Sequence, residues 1–152
     1  MAHPARASVH ASAVLLGQHA VLIRGPAGSG KSRLLLALLQ AAERGALTFA
    51  RLVADDRTQL EAAHGRLLAR PAPELAGLLE IRGLGIQRLP YEPIAVIGLV
   101  VDLAAAEAPR LPGPDARESR VEGVTLPRLA IAPAIDPLSL LLASLGKGIL
   151  IA

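Results

Sequence analysis

The sequence predicts an α/β domain, and three observations carry that prediction. The run Gly25-Pro26-Ala27-Gly28-Ser29-Gly30-Lys31-Ser32 matches G-x-x-x-x-G-K-[ST] and lies between an apolar strand and a leucine-rich helix, the context this motif requires. The segment IAVIGLVVDL, Ile94 to Leu103, is β-branched and nearly free of polar residues, as in a strand buried on both faces. The chain of 152 residues has 52% apolar and 19% charged types, a composition that folds rather than stays solvated. A core at that length removes roughly 70% of the unfolded chain's surface from water, so residues 1–152 read as a single domain.

The elements follow in order. Val9 to Leu16 and Ala20 to Ile23 favour strand, and Gly17-Gln18 between them makes an antiparallel hairpin. After Lys31, SRLLLALLQAAER predicts a buried helix of about three turns, with Gly45 as its stop. Leu47 to Val53 is a second apolar run, ending at Asp55-Asp56, and Arg66 to Ala69 is a short strand after the turn-prone His64-Gly65. PAPEL reads as a loop with one helical turn. LLEIRGLGIQ is an apolar segment broken by Gly83 and Gly85, a pattern common in binding loops. Ala104 to Glu122, rich in alanine, proline and charge, reads as an exposed excursion. Gly123 to Ile131 resumes strand character, and Asp136-Pro137 opens a last helix, with Asp136 as its N-cap.

Composition excludes several functions. Phe49 and Tyr91 are the only aromatics, so base stacking on aromatic side chains has no support, and a formal charge of +3 is too small to argue for a nucleic-acid partner. Without cysteine there is no disulfide scaffold, thiolate chemistry or Cys-ligated zinc, which suits a cytoplasmic chain. No signal peptide is read at the start, and no apolar run approaches the ~20 residues that cross a bilayer, so no membrane partner is expected.

The loop spelling has a physical reason. Glycines let successive backbone N–H groups turn inward as an anion nest, the helix start adds partial positive charge, Lys31 reaches terminal phosphates, and the Ser32 hydroxyl can ligate Mg²⁺. This predicts a nucleoside triphosphate as ligand. Two acidic strand ends compete for the remaining chemistry. Asp102 closes a hydrophobic strand, as the Mg²⁺-binding aspartate of many such proteins does, whereas Asp55 and Asp56 are adjacent, and paired acids in a desolvated site are suited to accept a proton. On strand pattern alone Asp102 is the better metal ligand.

VHAS, GPAGSGKS, LVADD and above all LLEIRGLGIQ, in that order, resemble the C-terminal catalytic domain of the bacterial HPr kinase/phosphorylase family. The resemblance runs from about Val9 to about Asp102, and the length is similar to short single-domain members. It implies a P-loop fold with a mixed β-sheet, similar to the nucleotide domain of phosphoenolpyruvate carboxykinase, in which the metal-binding acid is not at an ordinary strand end; Asp102 then loses the role. It implies ATP and Mg²⁺ as cofactors and an HPr-like phosphocarrier protein as the partner phosphorylated on serine. Hexamer formation is the family habit. Carried over by motif, Lys31 and the loop hold phosphates, Ser32 and Glu80 bind Mg²⁺, His10 lies near the aspartates, and Asp55 or Asp56 takes the serine proton. Arg110 is matched by eye to a family arginine that assists catalysis. Where the family shows a Pro-Val-x-Pro-Gly-Arg-Asn-like segment tied to dephosphorylation, this chain reads IAPAIDPLSL, so the resemblance implies a kinase without carrying over the phosphorylase reaction. Two other readings stand beside it: a small-molecule kinase or NTPase with Asp102 on Mg²⁺, and a nucleotide-sensing module without catalysis.

Overall fold

The computed structural model describes residues 6–106 and 117–146. Strands β1 (Ala7–Val9), β2 (Ser12–Leu16) and β3 (His19–Arg24) are followed by helix α1 (Lys31–Glu43), then β4 (Ala50–Ala54), β5 (Thr58–Ala63) and β6 (Arg66–Pro71). A 3₁₀ turn at Pro73–Leu75 leads to β7 (Leu78–Ile81) and β8 (Gly85–Arg88), a separate hairpin. The chain then makes β9 (Ala95–Asp102), β10 (Glu118–Val121), β11 (Val124–Ala130) and α2 (Pro137–Gly146). The main sheet runs β1-β5-β6-β9-β3-β2-β4, with β11 on β9 and β10 on β11. It is mixed: β3 and β9 are parallel, β2–β3 and β5–β6 antiparallel.

Two cores lie on the two faces of this sheet. Leu34, Leu35 and Leu38 of α1 pack with Val21, Ile23, Leu99 and Val101 on one face. Ala20 and Leu22, which alternate with Val21 and Ile23 along β3, face the other core with Leu60, Leu67 and Ala69 from β5 and β6. That second core is rich in alanine, and β4 and β6, far apart in strand order, approach each other as the sheet curls.

The register of β3 on β9 slips at Ala20/Val21, where Ile97 and Leu99 are successive partners and Gly98 is the extra residue. The bulge reverses the alternation: Ile97 faces one core and Leu99 the other. A Cβ at Gly98 would stand 2.8 Å from the Cβ of His19, so only glycine allows this approach. The edge of β9 away from β3 is shared. Ala95 and Val96 pair with β6, Val100 to Asp102 pair with β11, and a cavity of about 380 Å³ lies at the fork.

The structure departs from the sequence reading in three places. The strand expected from Val9 to Leu16 is broken at His10-Ala11, because β1 pairs with β5 whereas β2 pairs with β3 and β4. Thr58–Ala63 is a strand that was not expected; its buried Thr58 and Leu60 alternate with Gln59 and Glu61, a face too polar to read as apolar periodicity. Within the expected excursion 104–122, Glu118–Val121 forms β10 against β11, residues 107–116 lie outside the described part, and Ala105 is buried. The hairpin at Gly17-Gln18, the helix ending before Gly45 and the strand through Val100 are as expected. Asp136 caps α2: its Oδ1 accepts from the Leu138 N–H at 3.2 Å and its Oδ2 from the Ser139 hydroxyl. Among the described residues no helix is long and apolar enough to cross a membrane.

Candidate functional site

The parallel strand β3 delivers the chain into the glycine loop, and α1 leaves from its far end. Gly30 is the N-cap at φ 101°, a conformation that a residue with a Cβ rarely adopts. No side chain caps the helix and no acid stands in its first turn, so its first N–H groups and positive dipole end are free of carboxylate competition. Gly25 is needed for space: a Cβ there would lie 2.4 Å from Ser29 Oγ and 3.2 Å from the Leu103 carbonyl oxygen. Lys31, only 7% exposed, folds back across the loop and donates to the carbonyls of Gly25 at 2.8 Å and Pro26 at 3.1 Å.

The tip of β4 brings the acids to the same place. Asp55 is buried, and its Oδ1 accepts from both the Ser32 hydroxyl and the Ser12 hydroxyl at 2.7 Å. This shared oxygen joins the loop, β2 and the acid pair. Asp56 points the other way. It takes φ 67°, a left-handed conformation that aspartate tolerates better than most residues, its N–H donates to Ser12 Oγ at 3.3 Å, and its Oδ1 is 2.5 Å from His10 Nε2. The side chains of His10 and Asp56 are 56% and 66% exposed, so this pair faces solvent while Asp55 does not. The break between β1 and β2 is what frees His10 to reach Asp56.

All of this opens on a cleft of about 1040 Å³, bounded by the glycine loop, the β7–β8 hairpin and the segment 131–138. His10, Asp56, Glu80 and the loop residues Ala27 to Ser32 line it; Gly25, Pro26 and Asp55 support the loop and acids from behind. Glu80 is exposed toward the cleft from β7. Arg110 falls outside the described residues. Sequence reasoning missed Ser12, whose hydroxyl links Asp55 to the Asp56 backbone. Its signal is a serine two residues after His10, in a strand otherwise apolar.

Among the described residues no group of three or more His, Cys, Asp or Glu is placed to cage a metal. One hydroxyl and one carboxylate across a cleft suit a cation that takes most of its ligands from phosphates and water, as Mg²⁺ does. Ser29 Oγ is buried without a hydrogen-bond partner. A polar atom left so in the loop wall fits a loop built around a polar ligand.

Asp102 is engaged elsewhere. Its Oδ1 accepts from Arg24 Nε at 2.7 Å, and its Oδ2 from Arg24 Nη2 at 2.8 Å and Arg128 Nε at 2.5 Å. It does not line the cleft. Burial pushes its carboxyl up, but the hydrogen bonds and charges of Arg24 and Arg128 outweigh this and hold it below its usual value. A lowered carboxyl stabilises the fold above the unfolded-state value of about 4, and this contribution disappears as pH falls through the lower folded-state value. Asp102→Asn is therefore expected to cost about 3 kcal/mol near neutral pH, the low end for breaking a buried ion pair from one side. Urea unfolding from pH 7 down to pH 2 checks it: the wild type should lose its advantage over the variant in the acid range, and an advantage that persists at pH 2 contradicts the ion-pair account.

Fold and site together define a class: mixed α/β proteins that gather a glycine loop, a helix N-terminus and strand-end carboxylates around one cleft. Within it the chain belongs to the HPr Serine kinase C-terminal domain family, whose model matches residues 2–90. It is 44% identical over 82 residues to an HPr kinase/phosphorylase of Streptococcus thermophilus, covering 53% of this chain and 24% of that protein. With one of Clostridium tetani it is 37% identical over 90 residues, covering 55% and 27%. The chain thus spans about a quarter of the length of these curated relatives. Its fold is similar to the solved Hpr(Ser) kinase/phosphatase from Coxiella burnetii, with a TM-score of 0.74 at 24% identity over 93% of this chain and 90% of the other.

Proposed function

We propose that this chain is an ATP- and Mg²⁺-dependent protein serine kinase of the cytoplasm, acting on an HPr-like phosphocarrier. One observation carries the reading: the Ser32 hydroxyl and the Asp55 carboxylate meet at 2.7 Å, which joins the glycine loop and the acid pair of the family motif in one cleft.

In this reading Gly25 to Ser32 cradle the triphosphate and Lys31 exchanges the Gly25 and Pro26 carbonyls for phosphate oxygens. Ser32 and Glu80 hold Mg²⁺, which when bound neutralises charge on the β- and γ-phosphates. Asp55 orients Ser32 by accepting its proton-bearing oxygen. Asp56, exposed at the cleft, takes the proton from the acceptor serine as its oxygen bonds to the γ-phosphorus and the bond to the departing diphosphate breaks. His10 orients the Asp56 carboxylate and influences its proton affinity through its own charge. Arg110 keeps the assisting role that the family resemblance implies.

The rival reading with the metal on Asp102 is disfavoured, because both Asp102 oxygens are taken by guanidinium groups. Incubating the chain with γ-labelled ATP, Mg²⁺ and a purified HPr phosphocarrier should move label to one serine, located by mass spectrometry. ATP binding without transfer would support a nucleotide-sensing module instead.

A further inference from the structure

The β7–β8 hairpin buries one face and bares the other. Leu79 is buried in the core and Ile81 packs against it, whereas Glu80 on the opposite face is the cross-strand partner of Ile86. Leu84 and Ile86 are 70% and 68% exposed, the highest values among the exposed large apolar residues described. Glu80, Gly83 and Gly85 line the cleft, but Leu84 and Ile86 do not: they stand on its rim. Arg88 adds positive charge to this rim, and no carboxylate of the hairpin other than Glu80 answers it. An exposed apolar patch with such flanks marks an interaction surface more often than chance.

We infer that this rim docks the phosphoryl acceptor, and that the acceptor is a folded protein presenting an apolar patch edged by carboxylates beside its serine. The inference rests on the kinase reading and adds to it the class of substrate and where it binds. A small alcohol would enter the cleft and leave the rim bare, whereas Leu84 and Ile86 can be covered only by something that extends beyond it. A partner resting on Ile86 lies next to Glu80 and so over the reacting groups. That placement suits a substrate and would obstruct the site if a second copy of this chain stayed there.

The test compares the wild type with a Leu84→Ser/Ile86→Ser double variant and with Arg88→Glu, using intact HPr phosphocarrier and a short peptide spanning its acceptor serine. The double variant should raise KM for the intact protein at least tenfold, with kcat, peptide turnover and ATP affinity within twofold of wild type. Arg88→Glu should raise the same KM and flatten its dependence on salt. An unchanged KM for the intact protein overturns the inference. So does a wild-type oligomer that the double variant converts to monomers without a change in KM, which would assign the patch to a second copy. Failure of the wild type to phosphorylate any protein would be distinct, since it removes the kinase reading itself.

Discussion

Replacing Lys31 by alanine is expected to lower phosphoryl transfer at least about a thousandfold, the upper range for loss of one preorganised charge-stabilising donor. The side chain is 7% exposed and its ammonium bridges two carbonyls at the start of the loop, so its position is set before any ligand arrives. A cation already in place pays no reorganisation cost as charge develops on the transferring group. Lys31→Arg should not restore the rate, because a planar guanidinium cannot span from α1 to the Gly25 and Pro26 carbonyls as a compact ammonium does. Labelled-phosphate transfer measures both variants, with circular dichroism to show that each is folded. A Lys31→Ala chain that kept a tenth of the wild-type rate would remove the loop from the mechanism.

The second large effect separates the two neighbouring acids. Asp56→Asn should reduce kcat by about 10²- to 10⁴-fold, the usual share of a general base, and leave ATP affinity within twofold. Asp55→Asn keeps an oxygen able to accept from Ser12 and Ser32 but loses the negative charge behind Ser32. Its main effect should be a higher Mg²⁺ requirement, seen by titrating the metal at saturating ATP. If the two variants exchange these behaviours, the roles of the acids are reversed.

Much of the scaffold was legible because its signals are local. A glycine turn between apolar runs gives the β2–β3 hairpin, a leucine-rich run ending before Gly45 gives α1, and an unbroken β-branched run gives β9. Long-range pairing was not legible. β5 and β10 are polar strands made by their partners, and the break at His10 exists because the chain changes neighbours there. The loop and acid motifs identify their residues in the sequence, but not the division of labour between adjacent aspartates. That division follows from strand geometry: Asp55, at the end of β4, turns inward to two hydroxyls, and Asp56, in a left-handed conformation, turns out to His10. Ser12 was missed because a lone serine in a strand usually has no such connection.

Gly98 limits how this chain could be engineered. Exchanging glycine for alanine at unstrained positions is a common route to a more heat-resistant protein, since it restricts the unfolded chain. Backbone angles alone would nominate Gly98, which is not among the positive-φ glycines. The His19 ring base occupies the space the methyl would need, and β9 continues from there to the Asp102 clasp on Arg24, the residue that precedes the glycine loop. A consensus-style stabilisation campaign should therefore pass over this position, and a harmful variant there would disable the cleft from the opposite end of the strand.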